Sequence, residues 1–245
     1  MKSFNEYVLF EESEKHGVLA FGRMNPPTAG HEKVVDKVHE VAKAHDASHS
    51  VVLSHSQDAK KNPLSPEDKV KHARRAFPGT NISSSSKEKP TILHAASDMH
   101  KAGIDHLHVV AGSDRAADMH ALLHRYNGVA GAHGHYNFKS ITVHSSGERD
   151  PDAEGTTGIS ASKMREHAAS GNKAEFHKGA PSKMSTAHKD ELYSDIQKGM
   201  AAKKLKEENT QGDEGTPKLT KHRKAITPGE TPVTPNMFKS FKMNK

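Results

Sequence analysis

Two short segments, far apart in the chain, carry the residue types that handle phosphate chemistry. The first is Gly22-Arg23-Met24-Asn25-Pro26-Pro27-Thr28-Ala29-Gly30-His31. Gly22 and Gly30 let backbone come close to a ligand. A helix starting here offers unpaired N–H groups and the positive end of its dipole to an anion. Thr28 adds a hydroxyl, and His31 puts an imidazole on the first helical turn. An ordinary strand-to-helix turn with a capping threonine would look the same.

The second segment is Gly158-Ile159-Ser160-Ala161-Ser162-Lys163-Met164-Arg165. Ser160 and Ser162 can each cap a helix that begins here. Lys163 and Arg165 place positive charge near the same end, which is unfavourable for the dipole unless an anion is present. Two such helix starts suggest a polyphosphate held between them. Phosphoryl and nucleotidyl transfer need positioning and charge stabilisation rather than covalent help from the protein.

The elements that must position these groups are strands alternating with helices. Apolar runs predict strands over 16–21, 50–54, 106–111 and 138–144. Helical spacing or helix-start signals predict helices over 31–45, 66–77, 91–102, 114–124, 160–169 and 186–204. That alternation gives an α/β fold: a parallel, Rossmann-like sheet with helices on both faces. Ligands then sit beyond the carboxyl ends of the strands, in the loops 22–30, 55–65, 112–115 and 145–160. Both clusters fall in such loops.

With these elements in place, the clusters resemble two motifs of the cytidylyltransferase-like nucleotidylyltransferase superfamily. Thr28-Ala29-Gly30-His31 resembles its (T/H)xGH motif, and Ile159 to Arg165 resembles its ISSTxxR motif, with Ala161 in place of a Ser. The resemblance covers residues 16–170. It implies that His31 stabilises the α-phosphate during transfer, that Thr28 stands where many members have a first His, and that Ser160, Ser162 and Arg165 bind the β- and γ-phosphates. Lys163 joins them as a cation. Gly22, Arg23, Met24, Gly30 and Ile159 complete the nucleotide-binding set. ATP is the donor expected, or another nucleoside triphosphate, with Mg²⁺ carried mainly by the nucleotide's own oxygens.

The acceptor that the resemblance implies is a small phosphorylated molecule. Ser54-His55-Ser56-Gln57 and Asn62-Pro63-Leu64-Ser65-Pro66-Glu67-Asp68-Lys69 are similar to the nicotinamide-mononucleotide adenylyltransferases of the archaeal type, although Leu64 replaces an aromatic residue and Met24-Asn25 replaces Phe-Gln. That points to Asn25, Gln57 and Asn62 as acceptor contacts. Asp114 and Arg115, after Gly112, extend them: Asp114 either bonds a ribose or sits in the first turn of a helix. Phosphopantetheine, or a polyol or sugar phosphate with CTP, remains open. So does a non-catalytic, virion-internal or nucleic-acid-associated protein on the same fold.

Composition bounds the rest. The 245 residues have 33% hydrophobic content and a mean hydropathy of -0.81, so the core is small for the length. Of the net charge of +6, residues 203–245 hold +5, which leaves a nearly neutral body and a basic tail. The expected division is a peptide over 1–15, the nucleotidylyltransferase domain over 16–203 and a disordered tail over 204–245. The tail can touch nucleic acid or another polyanion. MKSFNEYVLFEE at the N-terminus resembles the capsid-targeting peptides of tailed-phage head proteins, and equally reads as an amphipathic helix. With no run near the roughly 18 apolar residues of a membrane span and no signal-peptide pattern, a cytoplasmic location is expected, or a virion-internal one. There is no Cys, hence no disulfide or Cys-based zinc site. The 20 His are scattered, most of them expected at the surface, and no metal-ligating set is expected of them; the pair His133-Gly134-His135 is too few ligands.

Overall fold

Val18, Leu19 and Ala20 are buried because strand β1 (His16–Gly22) is the middle strand of a five-stranded parallel sheet. The computed structural model describes residues 14–147 and 160–211, with side chains through 201. Helix α1 (Ala29–Ala44) leads to β2 (Ser48–Leu53), and α2 (Pro66–Ala76) to the edge strand β3 (Ile82–Ser84). Helix α3 (Ile92–Lys101) returns the chain to the other side of β1, where β4 (His106–Ala111), α4 (Ser113–Arg125) and β5 (Ser140–Ser145) follow. The sheet order is β3-β2-β1-β4-β5, so the order reverses between β1 and β4. Leu19 lies beside Ser50 on one side and Val109 on the other.

The two faces of the sheet carry separate cores, as the period-two alternation of strands requires. Val18, Ala20, Val51, Leu53 and Val110 pack under α1 and α2, together with α5 (Ala161–Ala169), α6 (Lys173–Gly179) and α7 (Thr186–Gln211). Leu19, Leu107, Val109 and Ile141 pack under α3 and α4. Local signals set the helix starts. In α2 the Ser65 hydroxyl accepts the N–H of Asp68, Pro66 opens the helix, Glu67 and Asp68 fill its first turn, and Arg74 and Arg75 its last.

Helix α7 is clasped to α2 by charge. Lys71 reaches Asp68, Glu191 and Asp195, and the buried His72 meets Asp195 through Nε2 at 3.0 Å. Gly199 brings α7 onto the loop before α2: a β-carbon there would collide with the carbonyl of Pro63. Helix α7 therefore braces the segment around Asn62.

Four elements differ from expectation. β3 is three residues long in a run of serines, and α6 is seven residues long; both are too short to show a period. β5 starts at Ser140 rather than 138, because Phe138 is tied at both its N–H and its carbonyl to the Asn127 side chain. Helix α7 continues to Gln211, past the end expected at 204. Residues 1–13 and 212–245, with most of the expected targeting peptide and tail, lie outside the described residues.

Candidate active site

The carboxyl ends of β1 and β4 open on a cavity of about 480 Å³, at the point where strand order reverses. Three helix starts reach its wall: Gly30 and His31 from α1, Asp114 and Arg115 from α4, and Ala161, Ser162 and Arg165 from α5. Among the described residues, the charged side chains in the wall are Arg23, Lys33, Lys61, Arg115 and Arg165 against one carboxylate, Asp114. Helix dipoles and this excess of cations act in the same direction, and both favour a polyanion.

His31 is oriented by its own helix start. Its Nδ1 lies 3.0 Å from the backbone nitrogen of Thr28 and 2.9 Å from the Thr28 hydroxyl. A backbone N–H can only donate, so Nδ1 accepts, and in the neutral ring the proton sits on Nε2. Thr28 is 3% exposed and is the residue that caps α1. Capping and the expected phosphate chemistry thus fall on the same two residues, with the ring fixed in one tautomer.

Asn25 joins the two motifs. Its backbone carbonyl accepts Nη1 of Arg165 at 2.7 Å, a link across 140 residues. Its buried side chain accepts the N–H of Leu64 and donates to the Leu64 carbonyl. Both ends of the amide are engaged, so Asn25, expected as an acceptor contact, lines the cavity as a tie between loops. Arg165 also donates to Ser162 Oγ at 2.9 Å. Burial, and then the Arg23 guanidinium, push the Arg165 pKa below its ordinary value. Two neighbouring guanidiniums, neither in an ion pair among the described residues, form a site suited to an anion. Met24, beside them, holds a positive φ of 40° with its side chain buried, a conformation that costs on the order of 1 kcal/mol.

The loop after β2 is built around Asp58 and Lys69. The Asp58 carboxylate accepts the N–H groups of Lys60 and Lys61 and the side-chain amide of Asn62. The Lys61 N–H and then the Asn62 amide hold the Asp58 pKa below the usual carboxylate range. Asn62 is left with Oδ1 buried and unpartnered, in the cavity wall. Lys69 is fully buried and donates through Nζ to the carbonyls of Ser54 (2.6 Å) and Ser56 (2.5 Å). Burial pushes its pKa down to about 8.

Of the residues expected from sequence, the cavity brings together Gly22, Arg23, Met24, Asn25, Thr28, Gly30, His31, Asn62, Asp114, Arg115, Ser162 and Arg165. Gln57 and Lys163 are exposed and outside its wall. The Ser160 hydroxyl caps α5 by accepting the Lys163 N–H at 3.1 Å. Ile159 lies outside the described residues. Sequence reasoning missed Lys33, Lys61, Asp58 and Lys69. Lys33 had a usable signal, two positions after His31 in a helix start, and Lys69 had one as the base in the segment that ends at 69.

The fold and the cavity together define an α/β protein with a cation-lined cavity at three helix starts. Residues 19–167, more than half of the chain, match the family described as Cytidylyltransferase-like, and the chain belongs to that family. The activity that goes with the family is nucleotidyl transfer in general, with a nucleotide as substrate. Comparison with curated proteins gives no match. Among the described residues no helix is long and apolar enough to cross a membrane.

Proposed function

We propose that the cavity transfers AMP from ATP to the phosphate of nicotinamide mononucleotide and releases pyrophosphate. The observation that carries this is His31, with its proton placed on Nε2, at a helix start in a cavity whose described residues supply five cations and one carboxylate. A phosphate oxygen of the acceptor attacks the α-phosphorus in line, and the bond to the bridging oxygen of the leaving pyrophosphate breaks. His31 donates to the α-phosphate as its charge develops. Arg165, Ser162 and the first turn of α5 take the β- and γ-phosphates, and Arg23 and Lys61 sit beside them. Lys163 adds its charge from outside the wall.

Mg²⁺ fits this lining only as a passenger of the triphosphate. Among the described residues Asp114 is the one carboxylate in the wall that could hold it, and the ion prefers oxygen ligands. Bound there, it would neutralise charge on the triphosphate.

The acceptor assignment is supported by Asn62. Its unpartnered Oδ1 calls for an N–H donor, which a carboxamide carries. Arg115 and Asp114 face the same space and suit a phosphate and a ribose hydroxyl. The test is pyrophosphate release with ATP and nicotinamide mononucleotide, run beside phosphopantetheine, polyol phosphates, sugar phosphates and CTP. Turnover should be fastest with the first pair. Faster turnover with another acceptor overturns the acceptor, preference for CTP overturns the donor, and no turnover with any pair overturns the catalytic reading.

A further inference from the structure

At the other end of α1 the structure gathers histidines that are scattered in the sequence. His16 opens β1, His106 and His108 lie on β4, His144 on β5, and His45 caps the C-terminus of α1. In the register His16 pairs with His106, and His108 lies between Val18 and Thr142. Period two then turns His16, His108 and His144 to the same face of the sheet, beneath the end of α1.

We propose that His16, His45 and His108 form a binding site for a divalent late transition metal ion, with zinc as the ion that fits. One ring nitrogen from each can be chosen so that all lie within 4.8 Å of one another. His16 Nδ1 and His108 Nε2 are 3.0 Å apart. Ligand nitrogens on a tetrahedral zinc, at about 2.0–2.1 Å from the ion, stand roughly 3.3 Å from each other, so this pair is nearly spaced for it. Two imidazole nitrogens at hydrogen-bond distance share one proton, so at least one presents a lone pair. A metal ion replaces that shared proton, and His16 keeps its proton on Nε2 instead.

The surroundings suit a ligand set. His108 is buried, and its Nδ1 lies 3.0 Å from His144 Nε2. Donation from Nδ1 to His144 would hold the ring with its Nε2 lone pair aimed at the ion, the orientation that supporting partners give to metal-bound histidines. His45 stacks on His108 with ring centroids 4.0 Å apart, and it is exposed, so it can swing the remaining distance. The C-terminal end of a helix carries partial negative charge, which favours a cation there. Imidazole nitrogens select zinc, nickel or copper over magnesium and calcium, and three ligands leave a fourth position for water. The site is separate from the cavity at the start of α1 and does not depend on its assignment.

The test uses the full chain, stripped with a chelator and titrated with Zn²⁺ in competition with a chromophoric chelator, with melting followed in parallel. One tight ion per chain is expected, and it should raise the Tm. His45→Ala should weaken binding at least about tenfold and abolish the rise in Tm, and His144→Leu should weaken it roughly tenfold. His39→Ala, outside the set, should bind like the unaltered protein. His45→Ala lies at an exposed helix end, so it remains informative if His16→Gln fails to fold. The absence of a stoichiometric site, or unaltered binding in His45→Ala, overturns the proposal.

Discussion

Helix α1 carries a histidine at each end, and the two face opposite chemistries. At its start, His31 shares a wall with Arg23, Lys33, Lys61, Arg115 and Arg165. At its finish, His45 lies against His16 and His108, with His106 and His144 behind them. The 16 residues of α1 separate these ends by about 24 Å at 1.5 Å per residue. A helix favours anions at its N-terminus and cations at its C-terminus, and the side chains at each end extend that preference. Where charge must be permanent, guanidinium and ammonium groups line the wall. Where lone pairs must be available, burial and then neighbouring rings lower the pKa of His16 and His108, that of His108 to about 4.

The largest effect expected from breaking this contrast is at His31. His31→Ala should lower kcat on the order of 10²–10³-fold, about 3–4 kcal/mol, with little change in ATP binding. The same change removes a partner of Thr28, so a loss of about 1 kcal/mol in stability should accompany it. Zinc affinity at the far end should not move. Steady-state pyrophosphate release and a denaturant melt separate the two costs, and a near-normal kcat would end the mechanism.

Arg165→Lys comes next. An ammonium cannot span Asn25 O and Ser162 Oγ as the guanidinium does. A loss of roughly 10–100-fold in kcat/KM is expected, from charge-assisted hydrogen bonds of about 1.5–3 kcal/mol. Equal performance of Lys and Arg would show that charge alone is needed there.

At the other end, pH is the probe. His108 titrates near 4 in the folded chain against 6.5 for an ordinary imidazole, with burial as the main cause and His45, His144, His16 and His106 adding to it. Between these values the unfolded chain binds the proton and the folded one does not. Stability is therefore complete above pH 6.5 and drains as pH falls toward 4, by on the order of 2–3 kcal/mol. In metal-free protein, His108→Leu should flatten that part of the profile in urea melts recorded at several pH values. An unchanged slope would move the source to other buried histidines such as His72.

The smallest effects sharpen the acceptor side. Asn62→Ala should raise the acceptor's KM by up to about tenfold, the worth of one hydrogen bond, and leave that of ATP alone. Gln57→Ala, exposed and outside the wall, should change neither. Saturation curves for both substrates decide this, and the reverse ranking would show that the loop closes differently around its ligand.

Much was written locally in the sequence. The run Val18-Leu19-Ala20, the helix starts at Pro66 and Ser160 and the glycine-bounded turn before His31 each depend on neighbours within a few residues, so strand, helix and the loop between them were legible. That the cavity opens at the carboxyl ends of the strands followed from the parallel architecture alone. Short elements such as β3 and α6 were not legible, because three or seven residues cannot display a period. What only the tertiary structure decided is which distant residues meet. Asn25 reaches both Leu64 and Arg165, Lys69 is buried under Ser54 and Ser56, and His16, His45 and His108 converge from two strands and a helix end. Alternation tells each strand which residues share a face. It does not tell which strand will lie alongside, and that choice rests on how all the apolar faces are buried at once.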